Sequence, residues 1–323
     1  MKSFLTRLLR PAAALLLLAA SCVVHAQSYP TRPVRVVFPY PPGSPLDAIG
    51  RMIIERAGKS LGQPMVFENK PGANGILGQT LASRAAPDGY TILLSSTSAF
   101  LLNSFVRKDL QYHPVRSFTP ITAVADIPVL LIVSSRVPAG NTREFVQYLK
   151  ANPTKVNYGS VGNGSFNHVL MEQFKTAAGV EMLHVPYQGA GAVATELLAG
   201  RIDASVLGPL GPWTPDQVKL LTLMSTRRSP VLPNVPAITE ELPSFRPFGN
   251  WMGFFAPTGT PEPIVRKLSE AFNAVLQQPD VRAKIEEQKW SVIGGSPDDF
   301  RKAIASDLET VGEAFKSANI KPE

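Results

Sequence analysis

Residues 34–50 read VRVVFPYPPGSPLDAIG, and this stretch decides the fold class of the chain. The apolar, β-branched run at 34–39 predicts a buried strand, and a stiff Pro-Gly loop follows it directly. Ser44 stands where a helix N-cap would stand, with Pro45 at the first helical position. Asp47 comes three residues after Ser44, where its carboxylate can bond back to the cap amide. Strand, tight loop and capped helix in this order predict a βα unit.

The same alternation of short apolar runs and amphipathic helical stretches continues along the chain. It is typical of α/β folds built on a mostly parallel sheet. Residues 226–260 depart from it, because they are rich in proline and weak in periodicity, which predicts an irregular crossing segment. Further strands are predicted at 65–68, 91–95, 127–134, 156–159, 183–187, 202–207 and 219–224, and helices at 45–61, 142–151, 166–178, 261–277 and 297–317, with another helix ending at Gly200.

Two separate βα series predict two lobes. One series occupies residues 30–122 and the other 126–224, so the chain would cross between them near 120–126 and again near 224–230. Two crossings give a hinge with a cleft beside it. We therefore expect an α/β fold whose first lobe contains residues 27–124 and 226–323 and whose second lobe contains residues 125–225.

The first 26 residues are typical of a secretory signal peptide. A basic start precedes an apolar run at 11–20, and small residues up to Ala26 offer a cleavage site. Lipid attachment at Cys22 is the alternative, which Ala19 disfavours because bacterial lipoboxes usually carry leucine there. Either processing route predicts an exported protein, and we expect it in the periplasm.

The charge pattern argues against two kinds of binding site. The chain has 32 basic and 25 acidic residues and a formal charge of +7, but the basic residues form no run of the kind that nucleic acid binding needs. Cys22 is the only cysteine, so cleavage after Ala26 would remove it. His113, His168 and His184 lie far apart, so no metal site is expected.

Enzyme motifs fit poorly. None of the loop serines Ser44, Ser160 and Ser165 satisfies the G-x-S-x-G pattern of a nucleophile elbow. Residues 189–194 match the loosest dinucleotide pattern, G-x-G-x-x-A, but no acid follows at the offset of about 20 residues that a ribose contact needs. We therefore expect no catalysis and no cofactor.

Four segments of polar and small residues each follow a predicted strand. Such junctions gather at the carboxyl edge of an α/β sheet, where helix N-termini and backbone N–H groups bind anions. We expect a neutral or anionic polar ligand there, held mostly by amides and hydroxyls. His168 could contact this ligand or donate to a nearby carbonyl, and both alternatives stay open. The four segments are 39–47, 95–98, 160–168 and 187–192.

Ordered motifs run along nearly the whole chain after the leader. They are YP at 29–30, PVR at 33–35, PYPPG at 39–43, ENKPGA at 68–73, PDGYT at 87–91, YGS at 158–160 continuing to His168, HVPYQG at 184–189, RRSP at 227–230, PNVP at 233–236 and FAPTGTP at 255–261. In these motifs the chain resembles the Bug-type receptors, the extracytoplasmic solute-binding components of tripartite tricarboxylate transporters.

The resemblance implies a type-II periplasmic-binding-protein fold with two lobes and no catalysis. It implies a small organic carboxylate as ligand and membrane transporter subunits as partners, with a periplasmic sensor in signalling as the alternative partner; we expect a monomer. In that family, main-chain amides of the first and third loops usually meet one carboxylate, partly through ordered water. The matching ligand-binding positions are Pro42, Gly43, Ser44, Asp47, Ser96, Thr97, Ser98, Ser160, Gly162, Asn163, Gly164, Ser165, His168, Tyr187 and Gly189.

The sequence also departs from the family pattern. Many relatives have a second glycine where this chain has Ser44 and a threonine where it has Leu46. Many have a polar or acidic residue within the segment that here reads LGPLG at 207–211. An acid there could neutralise a ligand ammonium group, so its absence predicts a carboxylate without an ammonium group. Leu46 and Phe100 are expected to give the pocket an apolar flank.

Overall fold

The computed structural model describes residues 29–209, 214 and 216–320. The predicted leader with Cys22, and residues 210 and 211 of the LGPLG segment, lie outside the described residues. The chain divides into the units Met1–Thr31 and Arg32–Glu323, and all described strands and helices belong to the second. No helix in the described part is both long and apolar enough to cross a membrane.

The strands form two sheets. The bounds are β1 (Val34–Phe38), β2 (Met65–Asn69), β3 (Thr91–Ser96), β4 (Phe118–Asp126), β5 (Leu130–Ser134), β6 (Asn157–Ser160), β7 (Leu183–Pro186), β8 (Ala204–Leu207), β9 (Val218–Leu223), β10 (Trp251–Pro257) and β11 (Ser291–Gly294). The first sheet has the order β11-β4-β10-β3-β1-β2 and the second has the order β7-β6-β8-β5-β9. The first sheet therefore combines early and late parts of the chain, and the second uses the part between them.

Helices connect and cover the strands. They are α1 (Pro45–Leu61), α2 (Ile76–Ser83), α3 (Asn103–Val106), α4 (Thr142–Ala151), α5 (Phe166–Ala178), α6 (Ala190–Leu198), α7 (Ile238–Glu241), α8 (Glu262–Leu276), α9 (Pro279–Glu287) and α10 (Pro297–Ser317). A 3₁₀ turn at Ala73–Gly75 precedes α2, and a π-helical turn at Ser98–Leu102 precedes α3.

The prediction of mostly parallel sheets was wrong. β1 pairs in parallel with β2 and β3, and β6 pairs in parallel with β7 and β8. However, β10 is antiparallel to β3 and β4, β11 is antiparallel to β4, and β5 is antiparallel to β8 and β9. β10 lies inside residues 226–260, where an irregular crossing was expected. Its seven residues are all buried, so it shows no alternation of polar and apolar residues that periodicity could detect.

Helix α1 lies tightly against the first sheet. A Cβ atom added at Gly50 would stand 2.6 Å from Cδ2 of Leu94 on β3, so a larger residue there would force the Leu94 side chain to move. Gly62 ends the helix in a left-handed conformation with φ of 74°. This packing carries the N-terminus of α1 to the carboxyl end of β1, as predicted from the stretch at 34–50.

An aromatic cluster fills the core beside β10. Phe100 stacks on Phe255 with ring centroids 4.0 Å apart, and Trp251 meets Phe100 edge-on. Phe100 is fully buried within this cluster. It therefore does not present an exposed apolar flank, contrary to the expectation from the sequence.

Helix α10, which was predicted at 297–317, begins with a capping box. Oγ of Ser296 accepts from Asp299 N–H at 3.1 Å, and the Asp299 carboxylate accepts from Ser296 N–H at 3.3 Å. We expect Ser296→Ala to lower the free energy of unfolding by about 1 kcal/mol, measured by urea denaturation. Ser306→Ala, at an exposed position within the same helix, is the control and should change stability little. Equal effects of the two substitutions would contradict the role of the cap.

Candidate ligand-binding site

The loop after β1 is held by the side chain of Asp47. Ser44 caps α1 as predicted, since its Oγ accepts from Asp47 N–H at 3.2 Å. The expected return bond to the Ser44 amide is absent among the described residues; instead Gly43 N–H donates to Oδ2 of Asp47 at 3.3 Å. Gly43 has φ of 94°, which turns its amide toward the helix. The Gly43 amide is therefore engaged within the protein.

Two further residues bind the same carboxylate. Arg51 donates through Nε at 3.0 Å and through Nη2 at 3.3 Å, and Asn69 donates through Nδ2 at 2.8 Å. Burial alone would raise the pKa of Asp47, but the bonds from Arg51, Asn69 and Gly43 outweigh it and hold that pKa below its usual value. Asp47 is thus a charged structural bridge, with its oxygens occupied by protein donors.

The junctions after β1 and β3 touch each other. Oη of Tyr40 lies 2.6 Å from Oγ of Ser96, and burial raises the pKa of the Tyr40 phenol. Oγ1 of the fully buried Thr97 accepts from Trp251 N–H at 2.8 Å. Ser98 lies at the start of the π-helical turn and is partly exposed. Because β1 and β3 are parallel neighbours, their carboxyl ends bring these residues to one edge.

The junctions after β6 and β7 form a second pair. Tyr187 N–H donates to the carbonyl of Ser160 at 2.9 Å. Oγ of Ser160 accepts from Gly162 N–H at 3.1 Å and lies 2.6 Å from Nε2 of His184. Gly189 is exposed and precedes α6 with φ of 102°. Parallel pairing of β6 with β7 accounts for this second meeting of loops.

The loop between β6 and α5 is fixed by His168. Gly164 N–H donates to Nδ1 of His168 at 3.0 Å, and Oγ of Ser165 accepts from His168 N–H at 3.3 Å. The nitrogen Nδ1 therefore accepts from an amide. The alternative considered from the sequence was that the ring donates to a carbonyl. Asn163, at the tip of the loop, is exposed.

A contact between Gly164 and Val106 joins the two pairs of junctions. A Cβ atom added at Gly164 would stand 2.4 Å from Cγ1 of Val106. Val106 ends α3, which continues from the junction after β3 through the π-helical turn. The loop of the second sheet therefore touches the segment that follows β3 of the first sheet.

Several predicted amide donors are already occupied. The N–H groups of Gly43, Gly162 and Gly164 all bind side chains of the protein. In the portion of the chain that is described, helix starts leave donors without a protein acceptor, as helix geometry requires, and five such donors lie at or just before the starts of α1 and α5. These are the N–H groups of Ser44 and Leu46 at α1 and of Asn163, Phe166 and Asn167 at α5.

Tyr40, Arg51, Asn69 and Val106 were not among the predicted ligand-binding positions, yet they hold these loops. Arg51 was detectable, because it lies four residues after Asp47 on the same helical face. Asn69 ends β2 and reaches Asp47 only through the pairing of β1 with β2.

Two cavities lie away from these junctions. The larger, of about 420 Å³, lies between α2 and residues 107–111, and the smaller, of about 180 Å³, lies between α5 and α10. Neither is lined by a predicted ligand-binding residue. Within residues 29–209, 214 and 216–320, no group of three or more histidine, cysteine, aspartate or glutamate residues is placed to hold a metal ion.

Comparisons with known proteins identify the family of the chain. A family model described as "Tripartite tricarboxylate transporter family receptor" matches residues 49–320. The periplasmic binding protein BugD is 32% identical in a similarity that covers 91% of this chain and 100% of that chain, with a TM-score of 0.72.

Two structures with bound acids are also similar. R. palustris Rpa4515 with adipate is 29% identical over 91% of this chain and 100% of that chain, with a TM-score of 0.76. MatC from Rhodopseudomonas palustris with bound malate is 30% identical over 88% of this chain and 99% of that chain, with a TM-score of 0.71. These similarities confirm the predicted α/β fold of a periplasmic binding protein.

Proposed function

Since this chain belongs to the receptor family of tripartite tricarboxylate transporters, we propose that it captures a small organic carboxylate by lobe closure. It acts in the periplasm as a monomer and delivers the ligand to membrane subunits of the transporter. It needs no cofactor and does not change the ligand chemically. The lobes are residues 27–124 with 226–323, and residues 125–225.

One observation carries this proposal. The junctions after β1 and β3 are joined through Tyr40 and Ser96, those after β6 and β7 are joined through Ser160 and Tyr187, and Gly164 touches Val106 between the two pairs. A ligand that bridges the pairs stabilises the arrangement in which they are close more than the arrangement in which they are apart. That difference in affinity is what drives closure.

The N-termini of α1 and α5 supply the binding groups. Ser44 and Leu46 on one side, and Asn163 and Phe166 on the other, offer N–H donors that the protein itself does not use. A carboxylate gains charge-assisted bonds and a favourable helix-end potential there. Micromolar binding corresponds to about 8 kcal/mol, which a few such bonds and the exclusion of water can supply.

The ligand is a carboxylate without an ammonium group. An ammonium would need an acidic partner beside these loops, and the nearest candidate, Asp47, already binds Arg51 and Asn69. The adipate and malate of the two similar structures also lack an ammonium group. Partly exposed Leu46 adds an apolar surface near the N-terminus of α1.

Isothermal titration of the protein tests the proposal directly. Adipate, malate, citrate and benzoate are compared with aspartate and glutamate, and at least one of the first four is expected to bind with roughly micromolar affinity. Mass spectrometry should then recover the bound acid unchanged. Tight binding of aspartate alone, or conversion of the acid, would contradict the proposal, as would failure of every acid to bind.

A further inference from the structure

A stack of three aromatic rings lies behind the loop at residues 160–165. The His184 ring packs on the Tyr158 ring at a centroid distance of 4.9 Å and on the His168 ring at 4.0 Å. Tyr158 is fully buried and His168 is 9% exposed. The rings come from β6, β7 and α5. The stack therefore packs β7 against both β6 and α5, which are the two elements that the loop connects.

His168 fixes the backbone of this loop through a hydrogen bond whose direction is unambiguous. Gly164 N–H donates to Nδ1 of His168 at 3.0 Å. Because a backbone N–H can only donate, Nδ1 must carry a lone pair, and the neutral ring has its proton on Nε2. Protonation of His168 would turn an N–H toward the N–H of Gly164 and replace the bond with repulsion between two donors.

His184 holds the start of the same loop. Its Nε2 lies 2.6 Å from Oγ of Ser160, and that oxygen also accepts from Gly162 N–H at 3.1 Å. Ser160 is fully buried, so water cannot take the place of these partners. Protons on both histidines would bring like charges together in rings with centroids 4.0 Å apart, which burial makes costly.

The charged groups that act on both rings come from α5. Oη of Tyr158 donates to Glu172, and Nζ of Lys175 donates to the same carboxylate at 2.9 Å. Burial, followed by the charge on His168, lowers the pKa of His184 to about 4. Burial also lowers the pKa of His168, against the opposing effect of Glu172. Both rings are therefore neutral at neutral pH.

We propose that His168 and His184 are positioning residues for the loop at 160–165: as neutral rings they hold its backbone, and proton uptake by His168 releases Gly164. The effect on ligand retention rests on the proposed function, since it requires this loop to meet the ligand. Both pKa values lie below the ordinary value of about 6.5. The loop is therefore held at neutral pH and is released as the pH falls below that value.

Nuclear magnetic resonance of the ligand-free protein, labelled at glycine and histidine, tests the loop directly. The Gly164 amide is expected to titrate with the same midpoint as the His168 ring, below about pH 6.5. In His168→Asn, Oδ1 can accept in place of Nδ1, so the amide should keep its neutral-pH position and lose its titration. In His168→Phe a stacking ring remains without an acceptor, so the amide should be displaced at every pH.

His113 provides a matched control. Its Nδ1 also accepts from backbone groups, Val115 N–H at 3.2 Å and Arg116 N–H at 3.3 Å. His113→Asn should leave the titration of Gly164 unchanged. A Gly164 amide that fails to follow His168, or that still titrates in His168→Asn, overturns the inference whatever the ligand is.

Isothermal titration with adipate as the probe links the loop to binding. From about pH 7.5 to about pH 5, the wild type should lose more affinity than His168→Asn, because protonation of His168 removes the bond that holds Gly164. Because adipate itself takes up protons over this range, the loss of affinity in His168→Asn measures the contribution of the ligand. Equal losses of affinity in the two proteins would show that protonation of His168 does not affect ligand binding. If adipate does not bind, the titration is run with whichever of malate, citrate and benzoate binds, and failure of all four counts against the proposed ligand class. The resonance experiment decides the role of the histidines in either case.

Discussion

Alanine in place of Gly164 is expected to lower the free energy of unfolding by about 3 kcal/mol and to weaken carboxylate binding roughly thirtyfold. Gly164 has φ of 67°, a conformation that strains any other residue, and its added Cβ would lie 2.4 Å from Cγ1 of Val106. Val106 is β-branched and cannot easily turn its side chain away. The loops that must close on a ligand would therefore be pushed apart. Urea denaturation and isothermal titration measure the two effects.

Gly179→Ala distinguishes the cost of a positive φ from the cost of the clash between the added Cβ atom and Val106. Gly179 ends α5 with φ of 62°, and a Cβ atom there would meet nothing within 4 Å. Its alanine variant should lose only about 1 kcal/mol and should bind the ligand normally. Adding Val106→Ala to Gly164→Ala should restore much of the lost binding, because it removes the clashing methyl group. Equal effects of the two glycine substitutions, or no rescue by Val106→Ala, would refute the clash.

The second large effect is expected at Asp47. Asp47→Asn should lower the free energy of unfolding by about 2 to 3 kcal/mol and weaken ligand binding about tenfold. The substitution leaves Arg51 without its carboxylate and turns an amide toward the donors of Asn69 and Gly43. The loop that precedes α1 then loses the bond that sets the direction of the helix start. Both quantities are measured as for Gly164.

Glu55 offers a control on the same helix. Glu55 and Lys59 form an ion pair at 2.8 Å with the same spacing of four residues, but both side chains are more than two-thirds exposed. Glu55→Gln should therefore change stability little, because water screens an exposed ion pair. The pKa of Asp47 lies below its usual value, so its contribution is complete above about pH 4 and is lost as the pH falls further. The difference between wild type and Asp47→Asn should thus shrink in acid; a difference independent of pH there would rule out the charge as its source.

The helix starts were predictable because capping chemistry is local. Ser44 was expected to cap α1, and its side chain accepts from the amide three residues later, as the side chains of Ser165 and Ser296 do at α5 and α10. At α1 the prediction missed by one residue, since Asp47 takes the amide of Gly43 and not that of Ser44. The bonds from Arg51 and Asn69 help to set that choice, and Asn69 lies on another strand.

The two sheets were harder to predict than the helices. The run at 251–257 is apolar throughout and follows a proline-rich stretch, so neither its periodicity nor its surroundings marked it as a strand. It nevertheless lies between β3 and β4 and buries all seven of its residues. Burial on both faces replaces the alternation that identifies a half-exposed strand. The division into two lobes remains a prediction.

The sequence by itself determined where the longer helices α1, α5 and α10 begin, which polar loops follow β1, β3, β6 and β7, and the family to which the chain belongs. Each of these depends on residues within a few positions of one another, or on motifs that can be read in order. Only the tertiary structure decided which amides of those loops are already bound, because their partners come from side chains that folding brings together. Ser160 and His184 lie 24 residues apart and touch only because β6 pairs with β7. Gly164 faces Val106 only because the loops of the two sheets meet.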